Sequence, residues 1–247
     1  MDDPIQEFKN WYLAKPVVTR TYMAGSVLLG LLTVLNIVTP YDLYYDFNSG
    51  VLGLQIWRLV TTVLFHGKLS FSFIMSMYFA HFAINNVETQ LFDRRTSWAD
   101  FLWLIIMLHT AGIVVASIFP IYFTSDAFVF ALMYIWCKRR PFETITLSLM
   151  FIPSGFSLKS GYFPWIYMGF NILLGESWIV YVLGLFLGHL YIFFKDIMLP
   201  KTHKDYLPTP RFFHNWIQKR DIQNAEQHDH QGRMFAGQGQ RVQQDDE

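Results

Sequence analysis

The residues of this chain that could do chemistry are few and stand far apart. Four histidines of its apolar region, His66, His81, His109 and His189, occupy separate segments, and Cys137 is the only cysteine among the 247 residues. A transition-metal site typically needs histidines one helical turn apart or a Cys-x-x-Cys pair, and neither spacing occurs. A single cysteine also excludes an intrachain disulfide. We therefore expect neither a metal ion nor a cofactor.

Nucleotide and nucleic-acid chemistry are not indicated either. The segment Gly50-Val51-Leu52-Gly53 lacks the lysine and the helix that a phosphate-binding loop requires. The formal charge is zero, and no basic cluster is interleaved with aromatic residues, so nucleic-acid binding is not expected. Any work that needs ATP would have to be driven by a partner.

The elements that would position these residues are membrane helices. The chain is 53% hydrophobic and only 15% charged, whereas a soluble domain carries about a quarter charged residues. A further apolar segment, 162–174, contains Pro164 and Asn171 and precedes Gly175, so we predict a partly embedded loop there. Six apolar runs, each close to the minimum of about 17 residues for a bilayer of ~30 Å, predict an all-α polytopic membrane protein with six transmembrane helices: 21–38, 71–87, 101–119, 121–137, 142–158 and 178–194.

Lysine and arginine placement predicts the orientation of these helices. With a cytosolic N-terminus and six spans, eleven basic residues flank the spans on the cytosolic side and three lie on the other side. This asymmetry needs an even number of spans, so we expect both termini in the cytosol. The three on the other side are Arg58, Lys68 and Lys159, and the eleven are Lys9, Lys15, Arg20, Arg94, Arg95, Lys138, Arg139, Arg140, Lys195, Lys201 and Lys204.

Three regions divide the chain: an N-terminal cytosolic segment (1–20), a membrane domain (21–199) and a cytosolic tail (200–247). The N-terminal segment could form an amphipathic helix at the headgroups, or it could be a frayed polar terminus. The first loop, 39–70, is too apolar for a solvated connection, and we predict a large amphipathic loop in the outer interface. The tail is rich in Gln, Asp, Gly and Arg, a composition typical of disorder.

Several motifs, in their order and spacing, resemble those of the Derlins, which are rhomboid-superfamily pseudoproteases of endoplasmic-reticulum-associated degradation. The loop carries Trp57-Arg58, and the last span carries Gly184 and Gly188 in a Gly-x-x-x-Gly motif. Further matching segments, over roughly residues 8–200, are Pro16-Val17-Val18-Thr19-Arg20, Phe92-Asp93-Arg94-Arg95, Phe163-Pro164-Trp165, Phe170-Asn171-Ile172-Leu173-Leu174-Gly175 and Gly188-His189-Leu190-Tyr191.

The resemblance implies a six-helix rhomboid-like fold in which span six packs on span four. Gly184 and Gly188 share one helix face and would allow close approach of the two backbones. Trp57 and Arg58 suit the interface, where an indole is favoured and a guanidinium can bind backbone carbonyls. We favour a role in loop architecture for this pair over direct contact with a substrate.

The catalytic residues of a rhomboid protease are missing from the matching positions. Such a protease needs a Gly-x-Ser nucleophile opening span four and a histidine base on span six. No glycine stands two residues before Ser125, and the histidine position falls on Tyr181, which does not accept a proton at neutral pH. A dyad of Ser125 with His189 can be imagined but is disfavoured, because His189 lies on another helix face.

Span two is the richest in polar residues, which are costly in a membrane. Its polar residues could simply bond neighbouring helices, or they could line a groove that holds an unfolded polypeptide. The resemblance to Derlins implies that this groove is a lateral opening between spans two and five, through which a polypeptide is retrotranslocated. The candidate groove residues are Ser72, Ser76, His81, Asn85, Asn86 and Glu88.

The tail contains a segment, 235–241, that looks like the box by which Derlins bind a AAA+ segregase of the valosin-containing-protein class. An aromatic anchor would fill a pocket while the glycines pair with an edge strand. The alternative is a chance match within a Gly/Gln-rich tail. The box residues are Phe235, Gly237, Gly239, Gln240 and Arg241.

The resemblance implies a retrotranslocation factor of the endoplasmic reticulum membrane. Its expected partners are misfolded proteins, a membrane RING ubiquitin ligase complex, the segregase and the lipid bilayer, with homo- or hetero-oligomers conceivable. Two other functions stay open: a membrane-anchored adaptor that only recruits the segregase, and the disfavoured active intramembrane serine protease.

Overall fold

The fold is described from a computed structural model, which covers residues 3–45, 55–92, 98–119, 121–146 and 157–215. The chain divides into two units, Met1–Leu207 and Pro208–Glu247. The first unit holds a helix bundle. In the second unit, residues 211–215 are helical.

Ten α-helices and one short hairpin make up the described part of the first unit. Two of the helices continue into π-helical turns, α5 over Val87–Leu91 and α9 over Phe193–Met198. The elements are α1 (Pro4–Ala14), α2 (Val17–Val34), α3 (Pro40–Leu43), α4 (Trp57–Leu64), α5 (Phe71–Asn86), α6 (Trp98–Ile118), α7 (Ser125–Arg139), β1 (Thr144–Thr146), β2 (Ser157–Lys159), α8 (Phe163–Leu173), α9 (Trp178–Ile192) and α10 (Leu199–Thr202).

Helix α1 lies inside the N-terminal segment for which an amphipathic helix was one of two predicted alternatives. The side chain of Asp3 caps it by accepting a hydrogen bond from the backbone N–H of Ile5 (3.1 Å), and Pro4 stands in the first turn. Proline suits this position because its missing N–H would have no helical partner there. Ile5, Trp11 and Leu13 are exposed, so this helix presents apolar side chains outward.

Three helical segments are long and apolar enough to cross a membrane: Val17–Val34, Trp98–Ile118 and Trp178–Thr202. They correspond to the predicted first, third and sixth spans. Helices α5, α7 and α8 have 16, 15 and 11 residues, which is short for a span. The chain is thus a helical membrane protein, and the number of six spans stays a prediction.

Helix α7 is the centre of the bundle. Its residues from Ala127 to Cys137 are all buried, and it contacts α4, α5, α6, α8 and α9. A helix that is apolar on every face must be surrounded by protein or lipid, and here other helices surround it. The surrounding helices therefore take their positions from α7.

The closest helix packing is that of α9 on α7. A β-carbon added at Gly184 would lie 2.5 Å from the carbonyl oxygen of Ala127, and one added at Gly188 would lie 2.9 Å from that of Ala131. Both distances are below any normal contact, so only glycine fits. The two small residues of α7 are also four apart, and each opposes one glycine of α9. This is the arrangement that the resemblance implied for spans six and four.

The predicted fifth span, 142–158, is wrong. At its two ends the structure has β1 and β2, which pair antiparallel with Thr144 opposite Lys159. Residues 147–156 lie outside the described part of the chain. Alternating exposure along β1, with only Ile145 buried, is typical of a strand, and apolar content alone does not reveal this period.

The fifth helix of the bundle is instead α8, in the segment predicted as an embedded loop. Pro164 does not break this helix because it stands in the first turn. Asn171 donates its side-chain N–H to the carbonyl oxygen of Tyr167 (2.8 Å), which satisfies it within the helix. Gly175 ends the helix in the left-handed region with φ +91°. The three residues on which the loop prediction depends are therefore compatible with a helix: Pro164 lies in its first turn, Asn171 within it and Gly175 just after its end.

The contact of α9 with α7 predicts a strong effect of Gly184→Ala. The added methyl group would collide with backbone that cannot move aside, and overpacking of this kind costs about 1–3 kcal/mol. We expect a lower midpoint of thermal unfolding for the purified protein in detergent. Gly169→Ala is the matched control, because a β-carbon there meets nothing within 4 Å. Equal midpoints for the two variants would contradict the packing described here.

Candidate functional site

The candidate site is a cavity of about 420 Å³ at the end of the bundle where α5, α7 and α9 begin. Its polar lining comes from these three helices and from the connections that precede them. Besides the phenol of Tyr122, the polar side chains in the lining are His66, Ser76, Ser125, Asp126, Glu176 and Ser177. This volume lies within the range of about 300–1,000 Å³ that is typical of ligand pockets.

Ser125, at the first position of α7, is bound to the backbone. Its hydroxyl donates a hydrogen bond to the carbonyl oxygen of Phe65 (2.7 Å), and the residue is 1% exposed. The backbone N–H of the preceding Thr124 donates to the carbonyl oxygen of Thr62 (3.1 Å). These bonds join the start of α7 to the end of α4, so Ser125 serves this junction.

Tyr181, the residue that the resemblance assigns to the position of a rhomboid histidine base, lies in an aromatic cluster. Its ring packs edge-on against Phe130 (5.7 Å between centroids) and Tyr167 (5.9 Å). Tyr167 in turn packs edge-on against Phe79 of α5 (4.4 Å). Tyr181 is 1% exposed, so its ring fills the core of the bundle.

The structure does not bring Ser125 and His189 together as a dyad. His189 is hydrogen-bonded through its Nδ1 to the hydroxyl of Tyr134 (3.0 Å). Tyr134 lies nine residues beyond Ser125 on α7, which is about 13 Å along the helix axis at 1.5 Å per residue. The histidine that does line the cavity with Ser125 is His66.

His66 links an acid and a hydroxyl group in the order of a catalytic relay. Its Nδ1 lies 2.9 Å from Oδ1 of Asp126, and its Nε2 lies 2.8 Å from the hydroxyl of Tyr22. The hydroxyl of Tyr22 donates its one proton to the carbonyl oxygen of Val63 (2.7 Å), which leaves its oxygen as the acceptor toward Nε2 of His66. Tyr22 is 7% exposed, and its ring stacks on the ring of Phe128. The hydroxyl is therefore buried and engaged, and the relay joins α2, α7 and the connection between α4 and α5.

Sequence reasoning missed this relay. From the sequence, His66 is a candidate only for metal binding, and neither Asp126 nor Tyr22 stands out. The three residues are separated by 44 and 60 positions along the chain, so no local spacing could reveal them. A histidine and an acid flanking predicted helix ends were the only available signal.

Glu176 is brought to the cavity by the turn that ends α8. The backbone N–H groups of Gly175 and Glu176 donate to the carbonyl oxygens of Ile172 and Asn171, both at 3.0 Å. This pair of bonds is a Schellman motif, which requires a residue such as glycine in the left-handed region. The carboxylate of Glu176 then accepts a hydrogen bond from the hydroxyl of Ser72 on α5 (2.9 Å).

The six candidate groove residues do not share one surface. Ser72 and Ser76 lie at the cavity end of α5, where Ser76 lines the cavity. Asn85 and Asn86 lie nine or more residues further along the same helix, at least about 13 Å away along its axis at 1.5 Å per residue. There Asn86 accepts a hydrogen bond from the side-chain amide of Gln90 (3.0 Å). His81, between the two groups, is half-buried, and its Nε2 has no partner among the described residues.

Glu88 is not part of an open groove, which corrects its assignment as a candidate groove residue. It is 1% exposed, and its carboxylate accepts hydrogen bonds from the backbone N–H groups of Val18 (3.1 Å) and Thr19 (2.9 Å) and from the hydroxyl of Thr19 (2.9 Å). These N–H groups belong to the first turn of α2, where no helical partner exists. Glu88 therefore caps α2 from the end of α5, in favourable alignment with the helix dipole.

Arg58 organises the first loop from within. It is 8% exposed, and its guanidinium donates to the carbonyl oxygens of Tyr41 (2.6 Å) and Tyr44 (2.9 Å) and to the side chain of Gln55. The neighbouring Trp57 is 57% exposed. Arg58 thus ties α4 to α3, whereas Trp57 faces outward.

Aromatic side chains fill the interface between α5 and α8, where the resemblance implies a lateral opening. Phe79 and Phe82 of α5 contact Phe163 of α8 at 6.0 and 5.2 Å between ring centroids. Phe82 also packs edge-on against Trp136 of α7 (5.4 Å). The two helices therefore meet through rings. The segregase-binding box, 235–241, lies outside the described residues.

Comparison with known proteins identifies relatives over most of the chain. The model of the Der1-like family matches residues 15–211. The chain is 32% identical to Derlin-2.1 of Zea mays over 218 residues, which cover 84% of this chain and 85% of the relative. It is also 32% identical to Derlin-2.2 of Arabidopsis thaliana, with 84% and 86% covered, and 29% identical to Derlin-1 of Drosophila melanogaster, with 75% and 74% covered.

The capping of α2 by Glu88 predicts that Glu88→Gln destabilises the bundle. An amide offers one acceptor oxygen instead of two, and its NH₂ group would face donors, so at least one buried donor loses its partner. We expect a loss of about 1–3 kcal/mol in the free energy of unfolding. Urea unfolding in detergent would measure it. Glu7→Gln is the control, since Glu7 is exposed in the first turn of α1 and should change stability by less than about 1 kcal/mol.

Proposed function

Because the chain belongs to the Der1-like family, whose role is generally linked to endoplasmic-reticulum-associated degradation, we propose that it helps retrotranslocate misfolded proteins to the cytosol. In this proposal it acts as a rhomboid-like pseudoprotease, and ubiquitin-dependent degradation by the proteasome follows. ATP hydrolysed by a recruited AAA+ segregase drives the movement.

The observation that carries the proposal is the fate of the two catalytic positions. The hydroxyl of Ser125 is bound to the carbonyl oxygen of Phe65, and Tyr181 is enclosed by aromatic rings. His66, the histidine in the same cavity, has both ring nitrogens engaged by Asp126 and Tyr22. A serine bound to the backbone, with the histidine of the same cavity engaged at both ring nitrogens, favours handling of a polypeptide over cleavage of it.

We further propose that the protein resides in the endoplasmic reticulum membrane with both termini in the cytosol. The pairing of β2 with β1 supports this orientation. It moves Lys159 to the end of α7 that carries Lys138, Arg139 and Arg140. The cytosolic side then has twelve of the basic residues that flank the spans instead of eleven, and the opposite side has two instead of three. This strengthens the asymmetry that sets membrane orientation.

A cytosolic tail of this kind would deliver the segregase. In the proposal Phe235 is the aromatic anchor of the binding box, and the residues between it and the membrane give the box its reach. A membrane RING ubiquitin ligase complex is the proposed partner that marks the cargo.

Two alternatives remain distinguishable. In a pure adaptor, the membrane domain is only an anchor for the tail. In an active protease, Ser125 would react with a fluorophosphonate probe, and covalent labelling of Ser125 would replace the proposal of a pseudoprotease.

Recruitment through the tail predicts that Phe235→Ala abolishes co-purification of the segregase, because the pocket loses its anchor. The measurement is a pulldown of the valosin-containing-protein-type ATPase with the full chain. Phe212→Ala is the matched control, since Phe212 is an exposed phenylalanine of the same C-terminal unit but lies outside the box. Undiminished binding by Phe235→Ala would exclude the box as the binding segment.

Participation of the membrane domain predicts that Asn85→Leu together with Asn86→Leu slows clearance of a misfolded reporter in cells, because the helix loses polar groups at its far end. Segregase pulldown should be unchanged. Thr110→Leu, an exposed polar residue of α6, is the control. Normal clearance by the double variant would favour the pure adaptor.

A further inference from the structure

The polar groups that line the cavity differ in whether their hydrogen-bonding capacity is used. Both ring nitrogens of His66 are hydrogen-bonded, and the hydroxyl of Ser125 donates its hydrogen bond to the carbonyl oxygen of Phe65. Each of the two carboxylates has one oxygen in a bond, Oδ1 of Asp126 with His66 and Oε1 of Glu176 with Ser72. The second oxygen of each carboxylate has no partner among the described residues.

Ser76 supplies a second and independent indication of a ligand. Its side chain lines the cavity, the residue is only 7% exposed, and its hydroxyl makes no hydrogen bond within the described part of the chain. The hydroxyl can donate one hydrogen bond and accept others, and in the cavity this capacity is open to a ligand. Ser177, another lining residue, likewise has no side-chain partner among the described residues.

The unused groups are therefore oxygen atoms, and they come with negative charge. The described lining contains neither lysine nor arginine. The N-termini of α5, α7 and α9 contribute about half a positive charge each, and the ring of His66 lies against Asp126. Glu176 is therefore the carboxylate of the lining that has no cationic side chain beside it among the described residues. A ligand that donates hydrogen bonds and carries a positive charge complements Glu176 and the unused acceptor oxygens.

We propose that this cavity binds a cationic nitrogen group, an alkylammonium or a guanidinium, with Glu176 as its main charge partner and with Ser76 and the free oxygen of Asp126 as further acceptors. If the proposed function holds, the source of this group is a lysine or arginine side chain of the polypeptide being handled. A metal ion fits less well, because no cluster of three or more possible metal ligands occurs among the described residues. An ammonium has three donors and a guanidinium has five, which matches the set of acceptors.

Binding of four fluorescent nine-residue Ser/Gly peptides to the full chain in lipid nanodiscs tests this site. The peptides differ only at the central residue, which is lysine, arginine, norleucine or glutamate. We expect the lysine and arginine peptides to bind at least about tenfold more tightly than the other two, since one charged hydrogen bond is worth about that factor. Equal affinity for lysine and norleucine peptides would overturn the proposal.

Glu176→Gln is the diagnostic variant. Glutamine keeps an acceptor for the hydroxyl of Ser72 but removes the charge, so affinity for the lysine peptide should fall about tenfold and affinity for the norleucine peptide should not change. Ser76→Ala, which removes no charge and no internal bond, should weaken binding of the lysine peptide about fivefold. Asp42→Asn is the control, because Asp42 lies on α3 and bonds Thr39 outside the cavity. Equal binding of the lysine peptide by the Glu176→Gln variant and the unsubstituted protein would overturn the proposal.

Free n-butylammonium in the same assay identifies the source of the cation. If the lysine peptide binds more tightly than n-butylammonium, the site is assigned to polypeptide side chains. If the two bind equally, the site is assigned to small amines. Both results support a cation site. Loss of the lysine preference would leave the proposed function standing, because the clearance assay tests that function separately. Failure of clearance with intact peptide selectivity would overturn the function and leave the site.

Discussion

At Gly184 a β-carbon would stand 2.5 Å from a backbone oxygen of α7, so α9 can approach α7 only where side chains are absent. The matching alanines, Ala127 and Ala131, face the two glycines at the same four-residue interval. Because α7 is buried on every side, the helices around it must pack against its surface as α9 does. The depth of the bundle, its aromatic interior and the cavity at one end all depend on this close approach.

The space that this packing leaves is filled differently along α7. In the middle, Tyr181 and Tyr167 close the interior with rings. At the end where α7 begins, Ser76, Asp126 and Glu176 join aromatic side chains around open volume. A protease with the same helices could hold a nucleophile and its base at the boundary between this aromatic interior and the cavity. Here the core side of the boundary is apolar, and the polar side is lined by hydrogen-bond acceptors.

Buried polar residues in this protein mainly join elements. Glu88 caps α2 from the end of α5, and Arg58 binds two loop carbonyls. His66 connects Tyr22 of α2 with Asp126 of α7. Each satisfies groups that an apolar surrounding would otherwise leave without partners. Ser76 is the exception at the cavity, since its hydroxyl faces the open volume and has no hydrogen-bond partner among the described residues. For that reason it points to a ligand, whereas the others point to architecture.

The amino-acid sequence by itself determined the class of protein, the first, third and sixth spans and the glycine face of α9, because apolar length and four-residue spacing are local properties. The resemblance of its motifs assigned Ser125 and Tyr181 to the positions where a rhomboid protease would hold its nucleophile and its base. Only the tertiary structure decided that the fifth helix is α8, that Glu88 is a cap and that His66 and Asp126 share one cavity. These depend on pairings between residues up to 70 positions apart, for which the chain carries no local signal. The neighbours of a polar residue in three dimensions decide whether it joins two elements by hydrogen bonds or faces an open cavity. The residue type alone does not reveal which of the two it does.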